Sequence, residues 1–275
     1  MPELPEVELA RRQLVRWVRG ARITGARSPD AKLTKPKAGA PFTRALVGRT
    51  VTAVDRRGKW LRLMTDDGTR LFLHLGMTGD FERLEPGAPA PRFERARLEL
   101  SRRGKASVVA YVDARRLGHL VVSREDTKTW SKLGPDPLID GVDVDALHAR
   151  LARRKGKTIK EVLLDQTVIA GVGNIQAAEA LWRAKIDPRS RADRLTRAHV
   201  AALVRAIDWS IARTLADLEA GGARYSERSK GDPAPPFVVY GRKGEPCRRC
   251  RAALERIELG GRTTTFCPRC QARIA

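Results

Sequence analysis

Apolar residues recur at Leu4, Val7, Ala10, Leu14 and Val18, three or four positions apart, with polar and charged residues between them. That period is one face of an amphipathic helix over residues 4–18, and Gly20 supplies its stop. Strand-like segments follow: Val51–Asp55, Trp60–Thr65, Arg70–Leu75, Ala96–Ser101, Ser107–Asp113 and Gly118–Ser123. Turn sequences such as Asp66-Asp67-Gly68 and Arg102-Arg103-Gly104 separate several of them. The pattern predicts an antiparallel β sandwich with a helix in front of it, not a βαβ array. Pro86 to Pro91 reads as a loop.

The pattern changes after Trp130. Gly134-Pro135-Asp136-Pro137 reads as a rigid linker, and helical periods replace strands over Val144–Arg154, Ile159–Leu164, Ile175–Lys185 and Thr196–Leu218. Gly221-Gly222 and a proline-rich stretch through Pro236 lead to two short strands, Ala253–Leu259 and Thr263–Phe266, joined by Gly260-Gly261. The expected organisation is α+β and multidomain: a β-sandwich domain over residues 1–131, a helical domain over 137–222 and a hairpin domain over 236–275.

The hairpin carries all four cysteines, as Cys247-x2-Cys250-x16-Cys267-x2-Cys270. A C-x2-C pair turns two thiolates toward one point, and two such pairs at the ends of a hairpin suit tetrahedral four-thiolate coordination of one Zn²⁺. With four protein ligands the metal has no open position, so the expected role is structural. A disulfide pair is the alternative. Nothing in the chain points to an oxidising compartment, and a redox C-x-x-C would need a βαβ context that is missing here.

Charge indicates what such a scaffold meets. Lys and Arg number 54 against 32 Asp and Glu, for a net charge of +22. Arginines crowd the cysteine segment, and Arg150, Arg153, Arg154, Lys155 and Lys157 form a second cluster. Guanidinium groups suit phosphate, so the excess predicts a nucleic-acid partner and salt-dependent binding. An aromatic content of only 5% argues against base-stacking readers of single strands. No run reaches the length of a transmembrane helix. Glu3, Glu6 and Glu8 do not fit a secretory or transit peptide, so the expected setting is the cytoplasm, without a membrane partner. The expected oligomeric state is a monomer.

The first eight residues, Met1-Pro2-Glu3-Leu4-Pro5-Glu6-Val7-Glu8, offer candidate chemistry. Methionine before a small residue is ordinarily removed, which leaves Pro2 as a free secondary amine. α-Amino groups have pKa values near 8, so a useful fraction is unprotonated at neutral pH. Attack by such an amine on a sugar anomeric carbon gives an iminium ion, an electron sink for covalent catalysis. Glu3 and Glu6 place carboxylates beside it for proton transfer. A proline-and-glutamate helix start is the structural alternative for the octamer taken alone.

Six separated segments in order resemble the formamidopyrimidine-DNA glycosylase family, of which endonuclease VIII is the sister branch. They are Pro2-Glu3-Leu4-Pro5-Glu6-Val7-Glu8, Gly58-Lys59, His74-Leu75-Gly76-Met77-Thr78-Gly79, Asp113-Ala114-Arg115-Arg116-Leu117-Gly118, Gly171-Val172-Gly173-Asn174-Ile175, and Tyr240 through Cys247 with the other three cysteines. Leu4 and His74-Leu75-Gly76-Met77 favour the formamidopyrimidine branch.

The resemblance implies a bifunctional base-excision enzyme acting on duplex DNA with damaged bases or abasic sites. It also implies a helical unit of the helix–two-turn–helix kind. Pro2 resembles the nucleophile, Glu3 the acid that protonates the opening sugar, and Lys59 the lysine that assists near the lesion. His74, Asn174, Tyr240 and Arg262 resemble grips on phosphates around it. Met77, Arg115 and Leu117 resemble the residues that fill the hole left by a flipped nucleotide. Each has a structural alternative: a helix N-cap for Asn174, a strand histidine for His74, a turn lysine for Lys59, core packing for Met77.

The chain departs from the family at four places. Leu117 stands where Phe is usual, Ala114 where Pro is usual, and Gln176 where Tyr is usual. The segment Gly222 to Val239, which normally folds over the flipped base, is several residues short. These departures bear on lesion preference. A non-catalytic or lesion-shifted DNA-binding member of the same fold is the alternative function.

Overall fold

The computed structural model describes residues 2–221 and 237–274. The chain divides into two compact units. One contains Pro2 and Glu6–Ser131; the other contains Glu3–Pro5, the helical segment from Lys132 onward and the cysteine hairpin.

In the first unit, helix α1 (Leu4–Val18) buries Val7, Ala10, Leu14 and Val18 to 1% exposure or less, as its period requires. Gly20 takes the left-handed conformation that ends it, with φ 75°. Nine strands follow: β1 (Arg22–Arg27), β2 (Thr34–Lys35), β3 (Val51–Arg57), β4 (Trp60–Thr65), β5 (Arg70–His74), β6 (Asp80–Leu84), β7 (Glu94–Arg102), β8 (Lys105–Val112) and β9 (His119–Ser123). They form a four-stranded sheet ordered β1-β7-β8-β6 and a five-stranded sheet ordered β2-β9-β5-β4-β3. Val7, Leu14, Phe42, Leu61, Leu73 and Leu98 belong to one apolar core in this unit.

The six predicted strands are present. The two-residue strand β2 pairs β9 in parallel, the one departure from antiparallel pairing in these sheets. Strands β1 and β6 escape the sequence pattern for one reason. Both lie at a sheet edge and are largely polar; β6 (Asp-Phe-Glu-Arg-Leu) buries Phe81 alone. Polar edge strands resist pairing with other chains, and they lack the alternation that reveals a central strand. A short helix α2 (Ala40–Leu46) also goes unpredicted; Phe42 and Leu46 anchor it.

A single turn α3 (Lys128–Ser131) closes the first unit. The second unit is helical: α4 (Val144–Ala152), α5 (Ile159–Leu164), α6 (Asn174–Ala184) and α7 (Arg197–Glu219). Local capping sets these boundaries. Asp143 caps α4, and Thr158 with Glu161 makes a capping box for α5. Thr196 caps α7. Asn174 is not an N-cap: Gly173 occupies that position, and no local side chain caps α6. The linker Gly134–Pro137 is fixed by the helical unit. Asp136 is fully buried, the Gly134 N–H donates to the Gln166 carbonyl at 2.8 Å, and the Ala170 N–H donates to the Pro135 carbonyl at 2.9 Å.

Strands β10 (Glu255–Leu259) and β11 (Arg262–Phe266) form the predicted hairpin. Gly260 and Gly261 have φ of 55° and 68°, and a two-residue turn with both φ values positive matches strand twist. Most of the shortened segment that begins at Gly222 lies outside the described residues.

Candidate active site and metal centre

Pro2 is buried and lies just ahead of α1. The next residue, Glu3, is 1% exposed, and its carboxylate caps a helix from a distant part of the chain. Oε2 accepts the Gly173 N–H at 3.1 Å and the Gln176 N–H at 3.0 Å, while Oε1 accepts the Ile175 N–H at 2.9 Å. Glu3 therefore supplies what Gly173 cannot. It satisfies three of the free donors at the start of α6 and places an anion at the positive end of the helix dipole. Gly171 allows the approach. Its φ is 92°, and a Cβ there would lie 2.7 Å from the Leu4 Cβ. The Leu4 N–H in turn donates to the Gly171 carbonyl at 3.1 Å.

Two residues that the sequence reading gave no role complete this arrangement. Lys160 is fully buried, and its Nζ donates to the Asn174 carbonyl at 2.9 Å. Burial pushes its pKa down to about 8, against the pull of Glu3. Gln176, whose backbone binds Glu3, has its side chain locked at both ends. Its Oε1 accepts from Ser210 Oγ at 2.6 Å and its Nε2 donates to Thr214 Oγ1 at 3.0 Å. The Thr214 hydroxyl donates to the Ser210 carbonyl at 3.0 Å, so both hydroxyl donors in this buried group have acceptors. The residue that departs from the family thus ties α6 to α7.

In the β-sheet unit, the remaining candidates sit on adjoining turns. Lys59 is 7% exposed and lies in the β3–β4 turn after Gly58, whose φ is 56°. His74 ends β5, opposite Trp60 in register. Its Nδ1 accepts the Gly76 N–H at 3.1 Å, which leaves Nε2 as the donor. Burial, with the nearby charges of His119 and Lys59, lowers its pKa to about 4, so the ring is neutral at physiological pH.

The loop after β5, with Met77 half-buried, packs on the loop after β8: a Cβ on Gly76 would lie 2.5 Å from the Leu117 backbone. Asp113 organises both loops. Its carboxylate accepts the Thr78 hydroxyl at 2.6 Å and the N–H groups of Leu117 and Gly118 at 2.8 Å each, with Arg115 N–H at 3.2 Å. Burial would raise the Asp113 pKa, but these donors hold it below the usual carboxylate value. Arg116 is tied to Asp30 at 2.7 Å. Arg115 makes no ion pair among the described residues, and Leu117 is 39% exposed.

The other candidates gather around α6. Asn174 donates from Nδ2 to the Thr263 carbonyl of β11 at 2.8 Å, while its Oδ1 is buried without a hydrogen-bond partner among the described residues. Glu179, buried at 2% exposure, accepts the N–H groups of Val238, Val239 and Tyr240 at 2.8–2.9 Å. Burial pushes its pKa up against those three donors. Its carboxylate fixes the backbone at Tyr240. Arg262 opens β11, exposed and without an ion pair among the described residues.

The four cysteine sulfurs lie within 4.8 Å of one another, with Cys250–Cys267 at 3.5 Å and Cys247–Cys270 at 4.0 Å. Disulfides require about 2.05 Å, so these are free thiols. Tetrahedral zinc with Zn–S bonds of about 2.3 Å places sulfurs about 3.8 Å apart, which this cluster matches. N–H donors face the sulfurs, as thiolates prefer: Trp182 Nε1 and the Arg249 backbone reach Cys247 Sγ at 3.4 Å each, and the Cys270 backbone reaches Cys267 Sγ at 3.4 Å. The site fits one structural zinc ion.

Comparison with known proteins agrees with this geometry. Residues 1–120 match the formamidopyrimidine-DNA glycosylase N-terminal domain, residues 133–225 the H2TH domain of the same proteins, and residues 244–273 the zinc finger found in FPG and IleRS. Formamidopyrimidine-DNA glycosylase of Pseudomonas putida GB-1 is 37% identical over 278 residues, covering 98% of this chain and all of that protein. Its counterpart in Pseudomonas savastanoi pv. phaseolicola is 38% identical with the same coverage. Among solved structures, MutM (Fpg) of Thermus thermophilus aligns with a TM-score of 0.82 at 36% identity, over 99% of both chains. Lactococcus lactis Fpg bound to DNA containing an AP site aligns with a TM-score of 0.86 at 30% identity, over 98% of this chain and all of that one. With matches spanning both units and the cysteine hairpin, the chain belongs to the formamidopyrimidine-DNA glycosylase family.

Proposed function

We propose that this chain excises oxidised or ring-opened bases from duplex DNA and then cleaves the abasic strand, with Pro2 as the nucleophile. The observation that supports it best is the fixed, buried carboxylate of Glu3, the residue next to Pro2 in the chain. An amine and a carboxylate held on one short strip suit attack at an anomeric carbon with proton transfer to the sugar.

In this reading the damaged nucleotide leaves the stack first. Met77 and Leu117 fill the space against the neighbouring bases, and the guanidinium of Arg115 bonds the widowed base. His74 through Nε2–H, Asn174, Tyr240 and Arg262 hold phosphates. The Pro2 nitrogen attacks C1′, the C1′–N bond to the base breaks, and the base departs with its electron pair and takes a proton from water. The Pro2 N–H proton passes to the Glu3 carboxylate, which delivers it to the ring oxygen as the C1′–O4′ bond opens, giving an iminium between Pro2 and C1′. Loss of a C2′ proton expels the 3′ phosphate; a second elimination expels the 5′ phosphate. Lys59 assists beside the lesion phosphate. The zinc hairpin orders Arg262 for its contact. Such work belongs in the bacterial cytoplasm, on nucleoid DNA, and needs one copy of the chain.

Borohydride reduction with abasic duplex tests the nucleophile. A stable adduct that maps to Pro2 is expected. An adduct on a lysine would overturn the assignment of Pro2, and absence of any adduct with Met1-processed protein would favour the non-catalytic alternative.

A further inference from the structure

The β-sheet unit carries a second basic feature away from the lesion loops. Arg19, Gly20, Arg102, Arg103 and Lys105 line an open groove of about 540 Å³. All four charged residues are exposed. Arg102 Nη1 donates to the carbonyls of Arg16 and Arg19, at 3.2 Å each, and so satisfies the carboxyl end of α1. The other three cations have no such duty, and none of the four makes an ion pair among the described residues. Several arginines elsewhere in this unit are matched: Arg49 to Asp67, Arg56 to Glu8, Arg62 to Asp55, Arg97 to Glu94.

Two elements place the groove far from the lesion loops. The 15-residue α1 begins beside Glu3 and ends at the groove, a rise of about 22 Å at ~1.5 Å per residue. Strand β8, of eight residues, starts at Lys105 in the groove and ends before the Asp113–Leu117 loop, roughly 26 Å away at ~3.3 Å per residue. A duplex engaged at the Leu117 end does not account for cations at the other end.

We infer that this groove binds the phosphate backbone of a second, undamaged DNA segment while the first occupies the lesion site. Unmatched arginines on a rigid hairpin and helix end suit phosphate oxygens, and a second point of attachment lets the protein pass between segments during its search. The inference rests on the DNA reading above.

The test uses the borohydride-trapped adduct with a short abasic duplex, whose formation is read first and separately. Failure to form adduct bears on the lyase reading alone. Labelled undamaged duplex is then added to purified adduct over a salt series. The expected result is a salt-dependent ternary complex. Arg19→Ser/Arg103→Ser/Lys105→Ser, which spares Arg102, should weaken it roughly tenfold or more at low salt and flatten the slope by about three, at ~0.9 per phosphate lost. Arg19→Lys/Arg103→Lys should retain it. A charge-matched control in the same unit, Lys32→Ser/Lys37→Ser/Arg44→Ser, should leave it unchanged, and all variants should cleave the first duplex at the wild-type rate. No ternary complex, an equal loss in the control, or capture of poly-glutamate in place of duplex would overturn the inference.

Discussion

Glu3→Gln is isosteric, yet the structure predicts two separate losses from it. Both carboxylate oxygens accept backbone N–H bonds, two at Oε2 and one at Oε1. The amide oxygen of glutamine keeps the pair at Gly173 and Gln176. Its NH₂ group then faces the Ile175 N–H, donor against donor, in a fully buried place. An unsatisfied buried donor costs about 1–3 kcal/mol. Removing the anion from the end of α6 costs about 0.3–1 kcal/mol more, and up to ~2 where the site is buried. The sum, roughly 1.3–5 kcal/mol, corresponds to a Tm drop on the order of 10 °C for a unit of this size. Loss of the proton donor is a separate matter and should slow excision by roughly 10²–10⁴-fold.

Two assays separate these effects. Thermal unfolding reads the cap. Single-turnover excision, run well below the variant's Tm beside cleavage of a preformed abasic site, reads the chemistry. Glu3→Asp keeps the charge but is one methylene short of its three donors, so it should lose stability while retaining some excision. If Glu3→Gln unfolds earlier but excises at the wild-type rate, Glu3 is a helix cap and the proposed acid lies elsewhere. If stability is unchanged, the three-donor cap is wrong.

The other predictions concern the metal, the loops and pH. Chelation or Cys267→Ser should unfold the β10–β11 hairpin and weaken DNA binding while the β-sheet unit stays folded, read by zinc analysis and circular dichroism. Arg262→Ala should lower affinity and flatten the salt slope by about 0.9, one phosphate contact. Leu117→Phe should raise single-turnover excision of 8-oxoguanine opposite cytosine and leave abasic cleavage nearly unchanged. The wild type should cleave abasic sites faster than it excises that well-stacked lesion. His74, whose pKa lies near 4 against 6.5 unfolded, contributes stability that is complete above pH ~6.5 and is lost as pH falls toward 4. His74→Asn should remove that slope from the acid limb of the unfolding curve.

Much of this molecule is legible where its determinants are local. Helices α1 and α5 fall where their apolar periods put them. The cysteine spacing forecasts the cluster because each C-x2-C pair closes within its own turn. What stays hidden has partners far along the chain. Nothing near Glu3 pairs it with Gly173, Ile175 and Gln176, about 170 residues on. Lys160 and Glu179 likewise act on groups that only the tertiary structure brings to them, as Asp113 does at Thr78. The sequence points the wrong way at α6: Asn174 reads as a ready cap for the helix, and only the structure puts Gly173 at that position and leaves the donors to Glu3. The resemblance to the family located site residues but did not explain Gln176, whose side chain works only because Ser210 and Thr214 lie opposite on α7.

Helix α6 accounts for why the carboxylate chemistry and the hairpin can change together. Its 11 residues hold Glu3 at the first turn, the 238–240 backbone through Glu179 in the next, and the metal knuckle through Trp182 in the last. Asn174 adds a tie to β11, and the Arg249 guanidinium stacks 4.2 Å from the Trp182 ring and bonds its carbonyl. A perturbation at the cysteines therefore reaches the helix that orients Glu3 by way of packed side chains, without passing through DNA. Loss of metal should then lower excision beyond what weakened binding explains, measurable at saturating enzyme. Leu117 and Arg115 stand apart from this scheme, on a loop held by Asp113 in the β-sheet unit. Under the proposed roles, substitutions there should change how the duplex is filled after base extrusion and leave the proton-transfer geometry untouched. This separation lets the chain depart from its family at Leu117 while keeping Glu3 fixed.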